Sequence, residues 1–134
     1  MNMLVVENGT ILRGPELTPQ RKNLVIEDGI INEITDERVS SDERIDASNL
    51  IVCPALINSH VHIGDSVALD VGDGKPLEDI VRPPHGLKHR ILESSPPRML
   101  VEAMRNSARD MITHGIGSFI DYREGGPEGV ELLR

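Results

Sequence analysis

The run Leu50-Ile51-Val52-Cys53-Pro54-Ala55-Leu56-Ile57 constrains this chain more than any other stretch, because it is continuously apolar apart from Pro54. A continuous apolar run of this length reads as strand buried on both faces, as in a parallel sheet. Pro54 divides it, since proline cannot donate to a ladder. One piece then finishes a sheet built by the preceding residues. The other, Leu56 to His62, begins something new. That second piece ends in His60-Val61-His62. Side chains alternate faces along a strand, so both imidazoles aim at one side of the sheet. Neutral imidazole is a common ligand of zinc and neighbouring metals. Spacing alone is weak support: with 5 His in 134 residues, chance supplies a His-x-His with a probability of roughly 0.2. Two polar residues closing a strand is the plainer reading of the pair until its context is added.

Upstream, the chain reads as short strands joined by turns. Met3 to Val6 is apolar, Glu7-Asn8-Gly9 suggests a turn, and Thr10 to Leu12 a returning strand. Arg13 to Gln20, with Gly14, Pro15 and Pro19, reads as a loop. Two β-branched runs, Asn23 to Ile26 and Ile30 to Ile34, flank Asp28-Gly29 and make the strongest hairpin signal in the chain. The acidic stretch from Thr35 to Glu43 reads as a solvated loop, and Arg44-Ile45-Asp46 as another short strand.

Downstream the period changes. Gly64 to Pro97 is rich in glycine and proline, a long connection with short helices expected at Leu77 to Val81 and Leu87 to Leu92. Ser94-Ser95-Pro96-Pro97 reads as a helix start with a serine cap and an early proline. Leu100, Met104, Ala108, Met111 and Ile112 then form one apolar stripe, with Gly115 as the stop. Ile116 to Tyr122 is a second β-like run ending in charge, and Glu128 to Arg134 looks like the first turns of a helix. Strand, long loop, helix and strand make a βαβ unit, whose right-handed crossover sets the strands parallel. A two-stranded parallel sheet with one helix leaves a face and both edges bare, so the chain reads as the front part of a larger α/β protein.

Composition removes several classes of function. The net charge is −8 and no Lys/Arg cluster occurs, which argues against a nucleic-acid partner. One cysteine, Cys53, excludes an intrachain disulfide and a Cys-rich zinc site, and reads as a small buried strand residue. Met1 to Glu7 lacks the basic start and long apolar core of a signal peptide. No apolar run reaches membrane-spanning length, so cytoplasmic residence is the default expectation. One Phe, one Tyr and no Trp leave the core to Ile, Leu and Val.

Pro54-Ala55-Leu56-Ile57-Asn58-Ser59-His60-Val61-His62 resembles the metal-binding signature of the amidohydrolase superfamily, where such a segment closes the first strand of a TIM-type barrel. Asn8-Gly9, Val25 to Ile34 and Ile45-Asp46-Ala47 are similar to the small β-sandwich that members carry before the barrel. Thr113 to Asp121 resembles the junction of helix 1 and strand 2. The resemblance implies a β-sandwich segment over residues 1–53, and over 54–134 the first βαβ unit of an incomplete (β/α)8 barrel. Ala55 departs from the glycine that commonly follows the proline. Gly64 stands where dihydroorotase- and hydantoinase-like members often place Arg, which leans toward the deaminase/chlorohydrolase side. The resemblance implies that His60 and His62 bind a divalent metal, zinc first, with iron or manganese as alternatives. It further implies hydrolysis of a non-peptide C–N bond in a small molecule by metal-activated water, at the C-terminal ends of the strands. The remaining ligands and the catalytic acid lie on later strands of the family, so 134 residues alone are expected to be inactive.

Asp65 is a candidate contact to substrate or metal surroundings, against a loop-capping role. Asp121 is another, against a salt bridge to Arg123 or a turn role. His89 is the third substrate candidate, within a group of His85, Lys88, His89 and Arg90 that also reads as a solvated basic patch. His114 reads as a contact to a helix C-terminus. Two other readings stay open: a non-catalytic fragment that associates through open barrel edges, and a stand-alone metal module using His60, His62 and His85 or His89.

Overall fold

The computed structural model describes residues 2–41 and 43–134. It divides into two units, Met1–Pro54 and Ala55–Arg134. Together they give a mixed α/β architecture with strand-rich sheets.

The first unit contains β1 (Met3–Arg13), β2 (Thr18–Glu27), β3 (Ile30–Thr35), β4 (Glu43–Asp46) and β5 (Ile51–Val52). Among the described residues they form one five-stranded sheet, in the order β3-β2-β1-β4 with β5 also on β1. β1 and β2 are antiparallel, as are β2 and β3, whereas β4 and β5 run parallel to β1. The expected hairpin forms at Asp28-Gly29, both with positive φ (48° and 81°), the backbone twist that a two-residue hairpin turn favours. The expected turn at Asn8-Gly9 does not. β1 runs straight through it and its register with β2 shifts between Val6 and Gly9, a bulge centred on Asn8 at φ 63°. The bulge has a purpose in the core. Val6 and Ile11 are an odd number of residues apart, so a regular strand would face them oppositely. The inserted residue restores a common face, and both pack with Leu24 and Ala47 against Ile26, Ile34 and Val52. Gly9 has no room for a side chain, since a Cβ there would lie 2.8 Å from Val52 Cγ2 and 3.1 Å from the Ala47 Cβ. β2 also begins earlier than expected, because Thr18 and Pro19 pair with Arg13 and Leu12 at the far end of the hairpin.

The second unit begins with β6 (Leu56–Val61), followed by a 3-10 turn (Ile63–Ala68), α1 (Leu77–Val81), α2 (Leu87–Ser94), α3 (Pro97–Thr113), β7 (Ile116–Asp121) and α4 (Gly126–Glu131). β6 and β7 are parallel, with α3 in the crossover, as the alternation of patterns requires. The core is Ile63, Leu100 and Met104, with Val61, Val67, Leu92, Val101, Ala108, Met111 and Leu132 around them. Ile63 is the best-covered side chain of this cluster at 1% exposure, although the sequence placed it at the mouth of a loop.

Several expectations are corrected here. Leu50, Ile51, Leu56 and Ile57 are exposed, Ile57 at 68%. The run forms two short strands, β5 and β6, either side of residues 53–55. Leu56 and Ile57 lie bare because a two-stranded sheet and one helix cannot supply both layers, and Leu50 and Ile51 are exposed at β5, in the five-stranded sheet. Cys53 is likewise exposed. Ile112 is exposed while Leu100 and Met104 are buried, so the stripe of α3 faces the core only through its first three turns and Met111. The N-cap of α3 is Pro96, with no side-chain cap; Ser94 instead donates to the Ile91 carbonyl within α2. Pro97 does open the helix, and Gly115 follows its end at φ 78°. In the long connection the two expected helices form, at Leu77–Val81 and Leu87–Ser94, and the unexpected element is the 3-10 turn at Ile63–Ala68. No helix of the described residues is long and apolar enough to cross a membrane.

Candidate metal site

The site is assembled where β6 and β7 end. The two strands pair as far as Val61 and Asp121, with register shifts between Leu56 and Ile57 and between Asn58 and Val61, and the chain after each stays in contact with the other. Tyr122 N–H donates to the Val61 carbonyl (2.8 Å). Ile63 N–H donates to Asp121 Oδ1 (2.9 Å). These two bonds bracket His62, which caps the 3-10 turn just past the strand.

His60 and His62 face one another as the strand period demands. Their Nε2 atoms are 3.3 Å apart. Two nitrogens each about 2.05 Å from one tetrahedral metal would stand about 3.3–3.4 Å apart. Each ring is held by the segment after β7. His60 stacks on Tyr122, with ring centroids 4.2 Å apart and planes 21° from parallel. His62 Nδ1 lies 2.8 Å from Glu124 Oε1. An ionised carboxylate only accepts, so Nδ1 carries a proton, and in the neutral form of the ring the nitrogen left bare is the Nε2 that faces His60. Two nitrogens converging in this way make a donor set that suits a divalent cation.

Glu124 is itself clamped. Lys88 of α2, only 13% exposed at its side chain, pairs with Glu124 and with Asp65 Oδ2 (3.0 Å). Burial pushes the Glu124 carboxyl up, but the hydrogen bond and charge of Lys88 outweigh it and hold the group below its ordinary range. For Lys88 burial works toward the neutral amine, and the bonds to Glu124 and Asp65 again win, holding the ammonium above its ordinary value. His62, Asp65 and Glu124 each bring a ligand atom within 4.8 Å of the others. This trio is a poorer cation site than the imidazole pair, because the Lys88 ammonium already sits between its two carboxylates. Among the described residues, the buried side-chain polar atoms without a hydrogen-bond partner are Asp65 Oδ1, Asp121 Oδ2, Arg123 Nη1 and Glu124 Oε2. All belong to this cluster, and such groups concentrate at sites with work to do.

Of the residues singled out by sequence, His60 and His62 come together and Asp65 joins their surroundings through Lys88. Asp121 ties the two strand ends by accepting from a backbone amide. It makes no pair with Arg123, which donates instead to the Gly129 carbonyl and packs its guanidinium on Gly64. His89 is not brought to the pair. Its Nε2 is 3.2 Å from the Val81 carbonyl, and it lines a cleft of about 510 Å³ with Leu92, Leu100, Arg123 and Glu124 but neither His60 nor His62. His85 lies in another hollow beside Lys75, Arg82 and Arg90. Lys88 is no part of a solvated patch, which corrects that reading. His114 Nδ1 contacts the Asp110 carbonyl (2.7 Å), at the C-terminus of α3 as expected. Sequence reasoning missed Glu124, Lys88 and Tyr122. The available signal was parallel register: if β6 and β7 end together, residues just past Asp121 must meet residues just past Val61.

Comparison with known proteins decides the family. The model of the amidohydrolase family matches residues 51–134. The chain belongs to the amidohydrolase family. This amidohydrolase chain is 92% identical over all 134 residues to a candidate aminohydrolase of Methanothermobacter thermautotrophicus, of which it covers 35%. It is 36% identical over 77 residues, 57% of the chain, to a 5-methylthioadenosine/S-adenosylhomocysteine deaminase of Pyrococcus furiosus, covering 18% of that protein. Its fold is shared with the zinc-complexed atrazine chlorohydrolase TrzN of Arthrobacter aurescens. There the TM-score is 0.66 at 18% identity, over 88% of this chain and 28% of the other. The chain spans about a third of the length of the archaeal relatives it matches end to end.

Proposed function

We propose that this chain carries the opening part of a metal-dependent hydrolase that cleaves a non-peptide C–N bond in a small molecule, with deamination as the favoured reaction. The observation that carries the reading is the 3.3 Å approach of the His60 and His62 Nε2 atoms at the C-terminal ends of two parallel strands, in a member of the amidohydrolase family. Residues 54–134 are read as the first βαβ unit of a (β/α)8 barrel, whose sites lie at that end of the strands. Residues 1–53 are read as one sheet of a small β-sandwich. Zinc is the favoured metal, with iron and manganese as alternatives. The donor set and the zinc complex among the structural neighbours support zinc. The deaminase names among the relatives support deamination.

His60 and His62 would hold the metal, which when bound lowers the pKa of a water and polarises the carbon it attacks. The chain's own residues do the holding and aiming. Tyr122 fixes one imidazole by stacking, Glu124 fixes the other by hydrogen bonding, and Asp121 ties the strand ends beneath them. Two imidazoles are half of a tetrahedral shell. The proposal therefore seeks the other ligands, and the group that moves the proton, in the longer protein. Residues 1–134 alone are expected to bind zinc weakly and to turn nothing over.

The test is direct. The protein in its natural full length is assayed for ammonia release from adenosine-type and related heterocyclic amines, with and without zinc, and with His60→Ala and His62→Ala. Zinc-dependent release lost in both variants supports the reading. Zinc binding and turnover indifferent to both substitutions would defeat it. Gel filtration of residues 1–134 addresses the edge-association alternative, for which a clean monomer counts against self-assembly.

A further inference from the structure

We infer that Glu124 is the positioning residue of the imidazole pair: its carboxylate takes the Nδ1 proton of His62 in a hydrogen bond and thereby turns the bare Nε2 toward His60. The inference rests on the metal reading above and goes beyond it, since the family resemblance points only to the histidines. Glu124 Oε1 stands 2.8 Å from His62 Nδ1, and the acceptor-only chemistry of a carboxylate dictates which nitrogen holds the proton. The Lys88 Nζ is 3.4 Å from the same nitrogen, a longer and weaker contact than the carboxylate's 2.8 Å, and the ammonium is already paired with Glu124 and Asp65. Its role is on the other side of Glu124, where it bridges to Asp65. The carboxylate is thus pinned between an imidazole and an ammonium, and α2 is fastened to the strand ends through it. The bond spans 62 residues, so it exists only when β7 lies beside β6. Outer partners of this kind set the tautomer and ring orientation of ligating histidines, and losing one typically costs 10–100-fold in metal affinity.

The experiment uses the natural full-length protein and zinc alone as the probe. Zinc affinity is read by competition with a chromophoric chelator, and the tautomer of His62 by long-range proton–nitrogen NMR of metal-free protein, assigned against His62→Ala. Glu124→Ala should weaken zinc about 10–100-fold and turn His62 from one Nδ1–H tautomer into a mixture. Glu124→Gln, whose amide oxygen still accepts, should keep the tautomer and lose less affinity. His62→Ala should lose more than Glu124→Ala. Zinc affinity within about twofold of wild type in Glu124→Ala, beside a large loss in His62→Ala, would overturn the inference and leave the metal reading standing. Unchanged affinity in His62→Ala would take down the metal reading and the inference with it. If Glu124→Ala fails to fold, wild-type His62 decides: an Nε2–H tautomer overturns the inference, and an Nδ1–H tautomer with a measurable affinity loss in Glu124→Gln sustains it.

Discussion

The two units solve opposite problems. The sheet of residues 3–52 is organised by hydrogen-bonded register and a small apolar face. Of its polar pairs, Lys22–Asp36 has its carboxylate in solvent, and Arg44–Glu7 is partly covered but leaves no buried polar atom without a partner. The unit from Ala55 onward leaves Leu56, Ile57 and Ile112 uncovered, yet it draws His62, Asp65, Lys88 and Glu124 into partial burial. All the buried orphan polar atoms among the described residues are in this second unit. Burying polar groups without full partners costs stability, so the second unit carries a cost beside the imidazole pair that the first unit does not.

Core truncation should not distinguish the units, and that is the largest effect expected. Leu100→Ala and Ile11→Ala should each cost about 2–5 kcal/mol in denaturant unfolding followed by circular dichroism. A much smaller loss for Leu100→Ala would mean that the second unit does not depend on the Ile63–Leu100–Met104 cluster. Polar substitutions should separate the units. Lys88→Met leaves two carboxylates facing each other and is expected to cost about 1–3 kcal/mol, whereas Asp36→Asn on the exposed pair should change stability by less than about 1 kcal/mol. Equal effects would erase the distinction between a site clamp and a surface pair.

The clamp also carries a pH signature. The Glu124 carboxyl is held below its ordinary value of 4.5, burial being outweighed by Lys88. Its contribution is present above that value and is lost as pH falls through the lowered one. Lys88 is held above its ordinary value of 10.5, burial again being outweighed by Glu124 and Asp65. Its contribution is complete below that value and is lost as pH rises past the raised one. The stability gap between wild type and Lys88→Met should therefore be level around neutrality and shrink toward both extremes. A gap that persists undiminished at both extremes would refute the clamp as described. Gly29→Ala should cost about 1 kcal/mol. It forces a Cβ into the left-handed turn between β2 and β3 and tests only the sheet, so any loss of zinc affinity there would be unexpected.

Local features were legible in the amino acids. Asp28-Gly29 announced its hairpin because positive φ at two successive residues is a local demand. The helix from Pro97 to Thr113 and its glycine stop followed from period and end chemistry. His60 and His62 share a face because the strand period is two. The residues around them were not legible. Asn8-Gly9 has turn chemistry, yet it became a bulge because Val6 and Ile11 needed one face against Leu24 and Ala47. Leu50 to Ile57 has the composition of a covered strand, but cover is supplied by neighbours and composition cannot place them. Lys88 looked like one of four solvated basic residues, and Glu124 like a charge closing a strand. Only parallel pairing of β6 with β7, and docking of α2 beside them, makes the two meet His62. A side chain's own chemistry and its near neighbours set what it can donate or accept. Which partner receives that bond depends on residues brought together across long stretches of chain, and that is decided by the packing of the whole unit.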